Sequence, residues 1–541
     1  MSRYVNHSLS RGSDSALSTA FCVFQVITVL TSPYPEVDGV RQAFSCAWNC
    51  HYCPQEPGQP RSYLHDEPAV RRANQNGFDA VLQFTDRAAT LVGNGHPLDK
   101  VELLVLGGTW ASYQHAYQEA FVRDLFYAAN TFWHRGTDKR PRRSLAEEQA
   151  ENESGCVKII GLTLETRPDT ITADELRRLR RFGCTRVQLG VQHTDKAVLA
   201  SVNRGHGPAA VIKALQLLKD TCYKVDVHLM PNLPGCSPAL DAAMFQTMTW
   251  HPDWQADQWK IYPCEVLPWT RIKEWFDSGK FVPYSDEELF EVILDAKADV
   301  RPWVRLNRVI RDIPSQYILG GVDAPNMRQT LAQHLAARGL ACKCIRCREA
   351  GAAAAELADK AVLKRRTYDA SGGIEHFLSF ETPDEAVIFG FVRLRFCANP
   401  GVGLFQCLAG AGLIRELHVY GQLVPSLLPS SAAPNSDASL PRDAAQHTGF
   451  GRRLMAAAEE LAASHGCVRT AVIAGVGARG YYRKLGYDLT SDDDGGFMVK
   501  DLPRGLRLRK HILPRCAYAL APFLAALLLL LLHAVLPQPQ A

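Results

Sequence analysis

Between residues 24 and 330, short apolar runs of strand length alternate with longer segments whose apolar residues recur at helical spacing. Runs at 24–30, 101–106, 157–164, 186–190, 224–230 and 259–262 read as buried strands. The first of them contains Gln25 and Thr28 and lacks a small-residue cleavage pattern, so it reads as a strand and not as a secretion signal. Thr172 stands three residues before Glu175, ahead of Leu176, Leu179 and Phe182 and the stop at Gly183, which predicts a capped helix. Strands alternating with helices predict a parallel sheet covered on both faces, and six or more such units predict a full or partial β/α barrel. Chemistry in such barrels sits at the C-terminal ends of the strands, where Gly107, Glu165, Gln192 and Pro231 fall. The charged stretch 138–155 reads as an exposed insertion.

From about residue 371 the pattern changes to strands at 386–396 and 413–420, a helix at 449–463, a strand at 468–473 and a last strand after Gly486. The whole chain is thus expected to be α/β, with a short N-terminal segment (1–20), a barrel domain (21–335), an alanine-rich linker (336–370) and a second α/β domain (371–503). Residues 423–443, rich in Ser, Pro and Ala, read as a loop within the last of these. A basic segment (504–516) then precedes 517–536, an uncharged run with six consecutive leucines from Leu527. Such a run, rising about 1.5 Å per residue, spans a hydrocarbon core of about 30 Å and predicts a transmembrane helix. The basic flank orients it as a tail anchor with the bulk of the protein facing the cytosol, on the mitochondrial outer membrane or the endoplasmic reticulum. Without the anchor the protein would be cytoplasmic. A low-complexity extension or a buried helix competes with this reading, although a buried helix normally keeps a polar face.

Composition narrows this little: 541 residues, 47% hydrophobic and 21% charged, are ordinary for a globular protein. The net charge of +4 means that a nucleic-acid partner must be held by a local patch and not by a global field. Several of the sixteen cysteines cluster at metal-ligand spacing, which favours metal sites in a reducing compartment over a disulfide framework.

Cys46, Cys50 and Cys53 fall on one loop just after the first strand, with Trp48 and Tyr52 between them. Three thiolates hold three irons of a 4Fe-4S cube and leave the fourth open to a ligand. A zinc knuckle short of one ligand, with His51 nearby, is the alternative. Gly107-Gly108-Thr109 after an apolar strand is either a turn that lets a ligand approach the backbone or a plain tight turn. Glu165, Arg167, Gln188, Gln192 and Lys260 project from strand ends into the expected cavity, where each is equally at home in a barrel salt bridge. Cys342, Cys344 and Cys347 are one ligand short of a structural zinc, with His418 the chosen fourth; three reduced cysteines are the alternative. Gln446-His-Thr-Gly449-Phe450-Gly451 opens a helix at Arg452. Free N–H groups and the helix dipole there suit a pyrophosphate, unless this helix start binds nothing. Downstream, Tyr481 and Tyr482 in Gly480-Tyr-Tyr-Arg-Lys-Leu-Gly-Tyr487 place phenol donors suited to a thioester.

The cysteine triad resembles radical S-adenosylmethionine enzymes, and the glycine loop with its tyrosines resembles the GNAT acetyltransferases. In this order, and with LeuGluThrArgProAsp (164–169), AsnArgGlyHis (203–206), ArgAspIlePro (311–314) and ArgGluLeuHisValTyrGly (415–421), the chain resembles the catalytic subunits of Elongator over roughly 24–500. That resemblance implies a radical-SAM partial β/α barrel followed by a GNAT-like domain. It also implies transfer of a carboxymethyl group from acetyl-CoA to carbon 5 of the tRNA wobble uridine, with Elongator-like subunits as partners. Its cofactors would be a 4Fe-4S cluster, S-adenosylmethionine and acetyl-CoA. By the same resemblance Lys100, Glu416, Leu417, His418, Val419, Phe450, Gly451, Arg452 and Tyr482 line acetyl-CoA, while Gly107, Gly108, Thr109, Glu165, Gln188 and Lys260 serve the barrel site. A protein lysine acetyltransferase using the GNAT part alone is the competing function. The sequence departs from the family in its narrow first cysteine gap, its short N-terminal segment and its C-terminal span. With so short an N-terminus, the basic stretch 139–143 or partner subunits would have to help hold tRNA.

Overall fold

A computed structural model describes residues 24–42, 44, 46–134, 139–420 and 449–503, with only the backbone of 352, 353 and 355. The expectations for 1–20, 423–443, Gln446, 504–516 and 517–536 lie outside the described residues. Among the described residues no helix is long and apolar enough to cross a membrane.

The first unit contains β1 (Gln25–Leu30), a small hairpin of β2 (Glu36–Val37) and β3 (Val40–Arg41), then β4 (Lys100–Leu106), β5 (Lys158–Thr166), β6 (Arg186–Gln192), β7 (Lys224–Leu229), β8 (Gln258–Ile261) and β9 (Arg305–Arg308). Leaving the hairpin aside, the strands form one all-parallel sheet in the order β1-β4-β5-β6-β7-β8-β9, an open half-barrel. The central strands β5 to β8 are largely buried on both faces, but for two different reasons. In β7, Val225, Val227 and Leu229 pack outward into the apolar core, while Lys224, Asp226 and His228 alternate onto the other face. The barrel interior is therefore polar, and its groups pair with one another across strands.

The helix Ala173–Arg181 forms where expected, with Thr172 accepting from the Glu175 N–H and Leu176 and Leu179 fully buried. Glu175 does not return the bond to the cap; it takes Arg178 instead. The described part of the stretch 138–155, residues 139–155, is exposed at 141–144, 146, 147 and 150 but is not featureless. It carries the helix Leu145–Asn152, with Leu145, Glu148, Gln149 and Asn152 buried. Its charges are absorbed internally: Arg140 forks onto Glu148 at 2.7 and 2.6 Å, Arg142 pairs with Asp124 and Arg143 with Glu151. Much of this polarity is paired locally, while the Arg142 and Arg143 side chains stay exposed at 46% and 52%.

The second unit is a mixed sheet of β10 (Val362–Ala370), β11 (Gly373–Glu381), β12 (Ile388–Cys397), β13 (Ala411–Val419), β14 (Arg469–Val472), β15 (Asp488–Leu489) and β16 (Met498–Asp501). The order is β10-β11-β12-β13-β14-β16-β15, antiparallel except for the β13–β14 pair. β10 lies within the stretch read as a linker. Its Lys364, Arg365 and Arg366 mask it, as charges commonly do on an edge strand.

The two units meet through buried charge. Arg415 forks onto Asp257 at 2.8 and 2.5 Å and reaches Glu375 at 2.9 Å; Arg395 binds Asp220 at 2.6 Å; Lys219 lies 3.9 Å from Asp257 and 3.7 Å from Glu375. Arg393 joins Asp257 to Glu416. Four cations (Lys219, Arg393, Arg395, Arg415) thus face four anions (Asp220, Asp257, Glu375, Glu416), all withdrawn from water. Elsewhere the turn at Gly475–Gly477 lies directly on β5: a Cβ on Gly475 would fall 2.0 Å from the Ile160 carbonyl oxygen.

Candidate functional site

The cysteine loop lies over the C-terminal ends of the barrel strands. Cys46, Cys50 and Cys53 line one pocket with Gly108, Thr109, Gly190, Gln192 and Arg204. Arg204 and Arg167 donate to the Cys50 sulfur at 3.5 and 3.8 Å, and Cys46 lies 3.6 Å from the Thr109 hydroxyl. Burial alone would raise the Cys50 thiol, but the Arg204 and Arg167 guanidiniums outweigh it and hold the thiol below its ordinary value. Burial pushes the Cys53 thiol up, and the nearby Arg61 does not offset it. Trp48 packs flat on Gly205, where a Cβ would come within 2.2 Å of its ring, and this fixes the turn that delivers Arg204.

Gly107 and Gly108 turn the chain after β4 with φ of 130° and 100°. A Cβ on Gly107 would lie 1.9 Å from the Thr31 hydroxyl oxygen. Gly107→Ala is therefore expected to cost about 1–3 kcal/mol in backbone strain alone, measurable as a lowered thermal midpoint. Two polar atoms of this region, Gln192 Oε1 and Arg204 Nε, are buried without a hydrogen-bond partner among the described residues. Thiolate-favouring cations, a glycine turn open to close approach and unsatisfied polar atoms together fit a 4Fe-4S cluster with an amino-acid-bearing ligand.

Deeper in the barrel, Glu165, Gln188 and Lys260 come together as expected. Lys260 donates to Gln188 at 2.7 Å, and burial pushes its ammonium down to about 8 against the pull of Asp226 and Glu165. Tyr63 donates to Glu165 at 2.7 Å, and His228 lies 3.8 Å from Glu165 and 3.3 Å from Gln188. Burial raises the Glu165 carboxyl.

In the second unit β14 pairs with Ala411–Ile414 of β13, so among the described residues 415–419 has no strand partner on that edge. Along this stretch Leu417 and Val419 pack toward the second core, whereas Glu416 and His418 turn to the barrel. Arg393 donates to Glu416 at 2.8 Å; burial would raise this carboxyl, but Lys224 of the barrel and Arg393 keep it below the usual range. His418 stacks on Phe391 and meets Phe24 edge-on, and Tyr420 accepts from Arg305 at 3.1 Å. The helix Phe450–Ser464 begins at Gly449, in the left-handed region with φ 70°, and has no side-chain cap. Phe450 is buried against Phe380, Arg452 is exposed, and the Tyr481 hydroxyl stands over Gly451. Tyr482 is buried, and burial raises its phenol.

Lys100 opens β4, at the strand's opposite end from the Gly107 turn and therefore roughly 20 Å from the cysteine loop. Its register partner on β5 is Lys158, against which Gly477 packs, so Lys100 borders the second unit. The thiols of Cys342, Cys344 and Cys347 converge within 4.8 Å. His418 is not their fourth partner: it is held in the aromatic stack described above, and the Lys297 ammonium donates to Cys347 at 3.5 Å instead.

Family models match the radical SAM superfamily at residues 43–238, the radical SAM C-terminal domain at 256–337 and the acetyltransferase (GNAT) family at 442–487. A curated relative named tRNA uridine(34) acetyltransferase, from Dehalococcoides mccartyi (strain CBDB1), is 38% identical over 480 residues, covering 88% of this chain and 97% of the relative. Elongator complex protein 3 of Bos taurus is 37% identical over 464 residues, covering 84% of this chain and 80% of its own. The solved structure of Methanocaldococcus infernus Elp3 with an N-terminal deletion superposes with a TM-score of 0.72 at 34% identity, over 88% of this chain and 99% of that one. The chain belongs to the tRNA uridine(34) acetyltransferase and Elongator complex protein 3 family. It is an enzyme of the acyltransferase class, with the radical SAM half-barrel and GNAT-like unit of that family. Arg204, Tyr63 and His228 also contact the candidate residues Cys50 and Glu165. Alternating Lys224, Asp226 and His228 inside an apolar strand was the signal that could have found the last of them.

Proposed function

We propose that this enzyme places a carboxymethyl group, drawn from acetyl-CoA, on carbon 5 of the wobble uridine of tRNA. The observation that carries the reading is the shared wall: β13 turns Glu416 and His418 onto Lys224 and Phe24 of the barrel that bears the cysteine loop. Two separate activities have no need of a common strand.

When bound, the cluster and S-adenosylmethionine supply a radical able to take a hydrogen atom from the acetyl methyl group. Cys46, Cys50 and Cys53 would hold the cluster, with Arg204 and Arg167 donating to the Cys50 sulfur. Gly107, Gly108 and Thr109 would admit the methionine end, and Glu165, Gln188 and Lys260 would form the polar wall below it. In the second unit the N–H groups of Phe450, Gly451 and Arg452 would take the pyrophosphate, the free edge at 416–419 would take the pantetheine amides, and Lys100 would neutralise a phosphate. Tyr481 and Tyr482 stand at the thioester end, Tyr481 with the more exposed hydroxyl. A zinc ion on Cys342, Cys344 and Cys347 would have to displace Lys297.

Anaerobic reconstitution of the full chain with acetyl-CoA, S-adenosylmethionine and tRNA is expected to yield 5-carboxymethyluridine by nucleoside mass spectrometry. S-adenosylmethionine cleavage without that nucleoside would overturn the proposal. We also propose that 517–536 anchors the protein to an intracellular membrane and that it works with Elongator-like subunits. Deleting 516–541 is expected to move the protein from the membrane pellet to the cytosolic fraction; a truncated protein that still pellets would refute the anchor.

A further inference from the structure

Both carboxyl oxygens of Glu265 are buried with no hydrogen-bond partner among the described residues, and the residue is 4% exposed. It lies in the wall of a cavity of ≈ 340 Å³, bounded by Val26 and Thr28 of β1 on one side and by Arg308 and Arg311 on the other. An unmet buried carboxyl is costly, and a fold tolerates one where a ligand completes it. Arg311, the nearest cation, does not do so: its guanidinium is spent on Glu67 at 2.7 Å and on the Ser62 carbonyl. Burial, with Asp323 and Glu67 close by, pushes the Glu265 carboxyl up to about 8, so at neutral pH it is mostly the acid. An acid offers one donor and one acceptor side by side, the complement of a nucleobase imide edge.

The same cavity is lined by Arg72 and Arg87, and neither forms an ion pair among the described residues. Asp86 acts on Arg72 only from beyond ion-pair distance, and Arg72 also donates to the Pro68 carbonyl at 3.0 Å, so the two neighbouring guanidiniums keep charge that suits a phosphodiester chain. S-adenosylmethionine carries no phosphate, and the pocket of the three cysteines includes none of Glu265, Arg72 and Arg87.

We propose that this lateral cavity holds the target nucleotide, with Glu265 paired to the imide edge of the uracil and Arg72 and Arg87 on the neighbouring phosphates. The assignment rests on the function proposed above and names the residues that hold its substrate. Gripping the imide edge leaves carbon 5 and carbon 6 turned the opposite way, toward the rest of the cavity, whose wall includes Glu165 and Lys260. The carboxyl must swing out of its wall to make the pair, and its unmet hydrogen bonds favour that movement.

The test measures kcat/KM of the reconstituted full chain on anticodon stem-loops carrying either uridine or N3-methyluridine at the target position. The unaltered protein is expected to prefer uridine by about ten- to a hundredfold, the discrimination of one two-point base contact. Glu265→Met is expected to bring the preference near parity without lowering the thermal midpoint, since it removes an unsatisfied group. Glu265→Gln, which keeps a donor and an acceptor, is expected to retain the preference. Replacing Arg72 and Arg87 together with alanine should reduce the salt slope of RNA binding by about 1–2. A preference undiminished in Glu265→Met, or a loss of RNA-free 5′-deoxyadenosine release in that variant, overturns the inference while leaving the function standing. An unaltered protein that modifies no uridine overturns both.

Discussion

Asp257→Ala is expected to remove about 3–5 kcal/mol of stability, read as a lowered urea midpoint of the joint between the two units. The aspartate accepts two bonds from Arg415 and lies within 4 Å of Lys219 and Arg393, all of them buried. Its removal leaves those cations without their shared counter-ion in a medium that cannot solvate them. The pair itself need not be net stabilising, because withdrawing both partners from water costs nearly as much as they recover. Asp257→Ala combined with Arg415→Met should therefore regain part of the loss, and a double variant no better than the single one would refute this account. Acid acts on the same group. Burial would raise the Asp257 carboxyl, but Arg415, Lys219 and Arg393 hold it far below the usual range. A folded-state value below the unfolded one, about 3.9, gives stability that is complete above roughly pH 5 and drains away as pH falls. Asp257→Ala should accordingly lose less of its stability than the unaltered protein between about pH 5 and pH 2.

Cys50→Ala is expected to take carboxymethyluridine formation below detection and to abolish the visible absorbance of the reconstituted cluster. Arg204→Met tests the finer point. It removes the donor at 3.5 Å whose charge lowers the Cys50 thiol, without touching a cysteine. Loss of such a supporting partner typically costs about 10–100-fold in metal affinity, here read as faster loss of iron to a chelator. Unchanged iron retention in Arg204→Met would show that the guanidinium serves packing alone. Retained acetyl transfer to a protein lysine in Cys50→Ala would favour a GNAT activity independent of the barrel.

The barrel strands were legible because apolar runs between turn residues leave little choice of element, and 24–30, 101–106 and 224–230 all lie on strands. Glu165, Gln188 and Lys260 could be placed at strand ends by the same reading, and the structure brings them together. What escaped was set by partners distant in sequence. The acidic and basic residues of 138–155 look solvated until Arg140 is seen closing on Glu148, and 362–370 looks like a linker until its strand partner at 373–381 is in place. His418 looked like a free ligand because nothing local shows that Phe24, nearly four hundred residues earlier, closes over it. Glu265 was invisible for the opposite reason, since an absent partner leaves no pattern at all.

The turn at Gly475 and Gly477 has a consequence for inheritance. Where it meets β5, main chain touches main chain, with no side-chain layer between them to be repacked. A joint of that kind cannot be retuned by ordinary substitution when one half is exchanged for a distant cousin, because no residue is small enough to absorb a misfit. The halves of this enzyme are then poor material for shuffling. A lineage that recombined them would lose the fit at once, so the two should descend together as a single unit of selection.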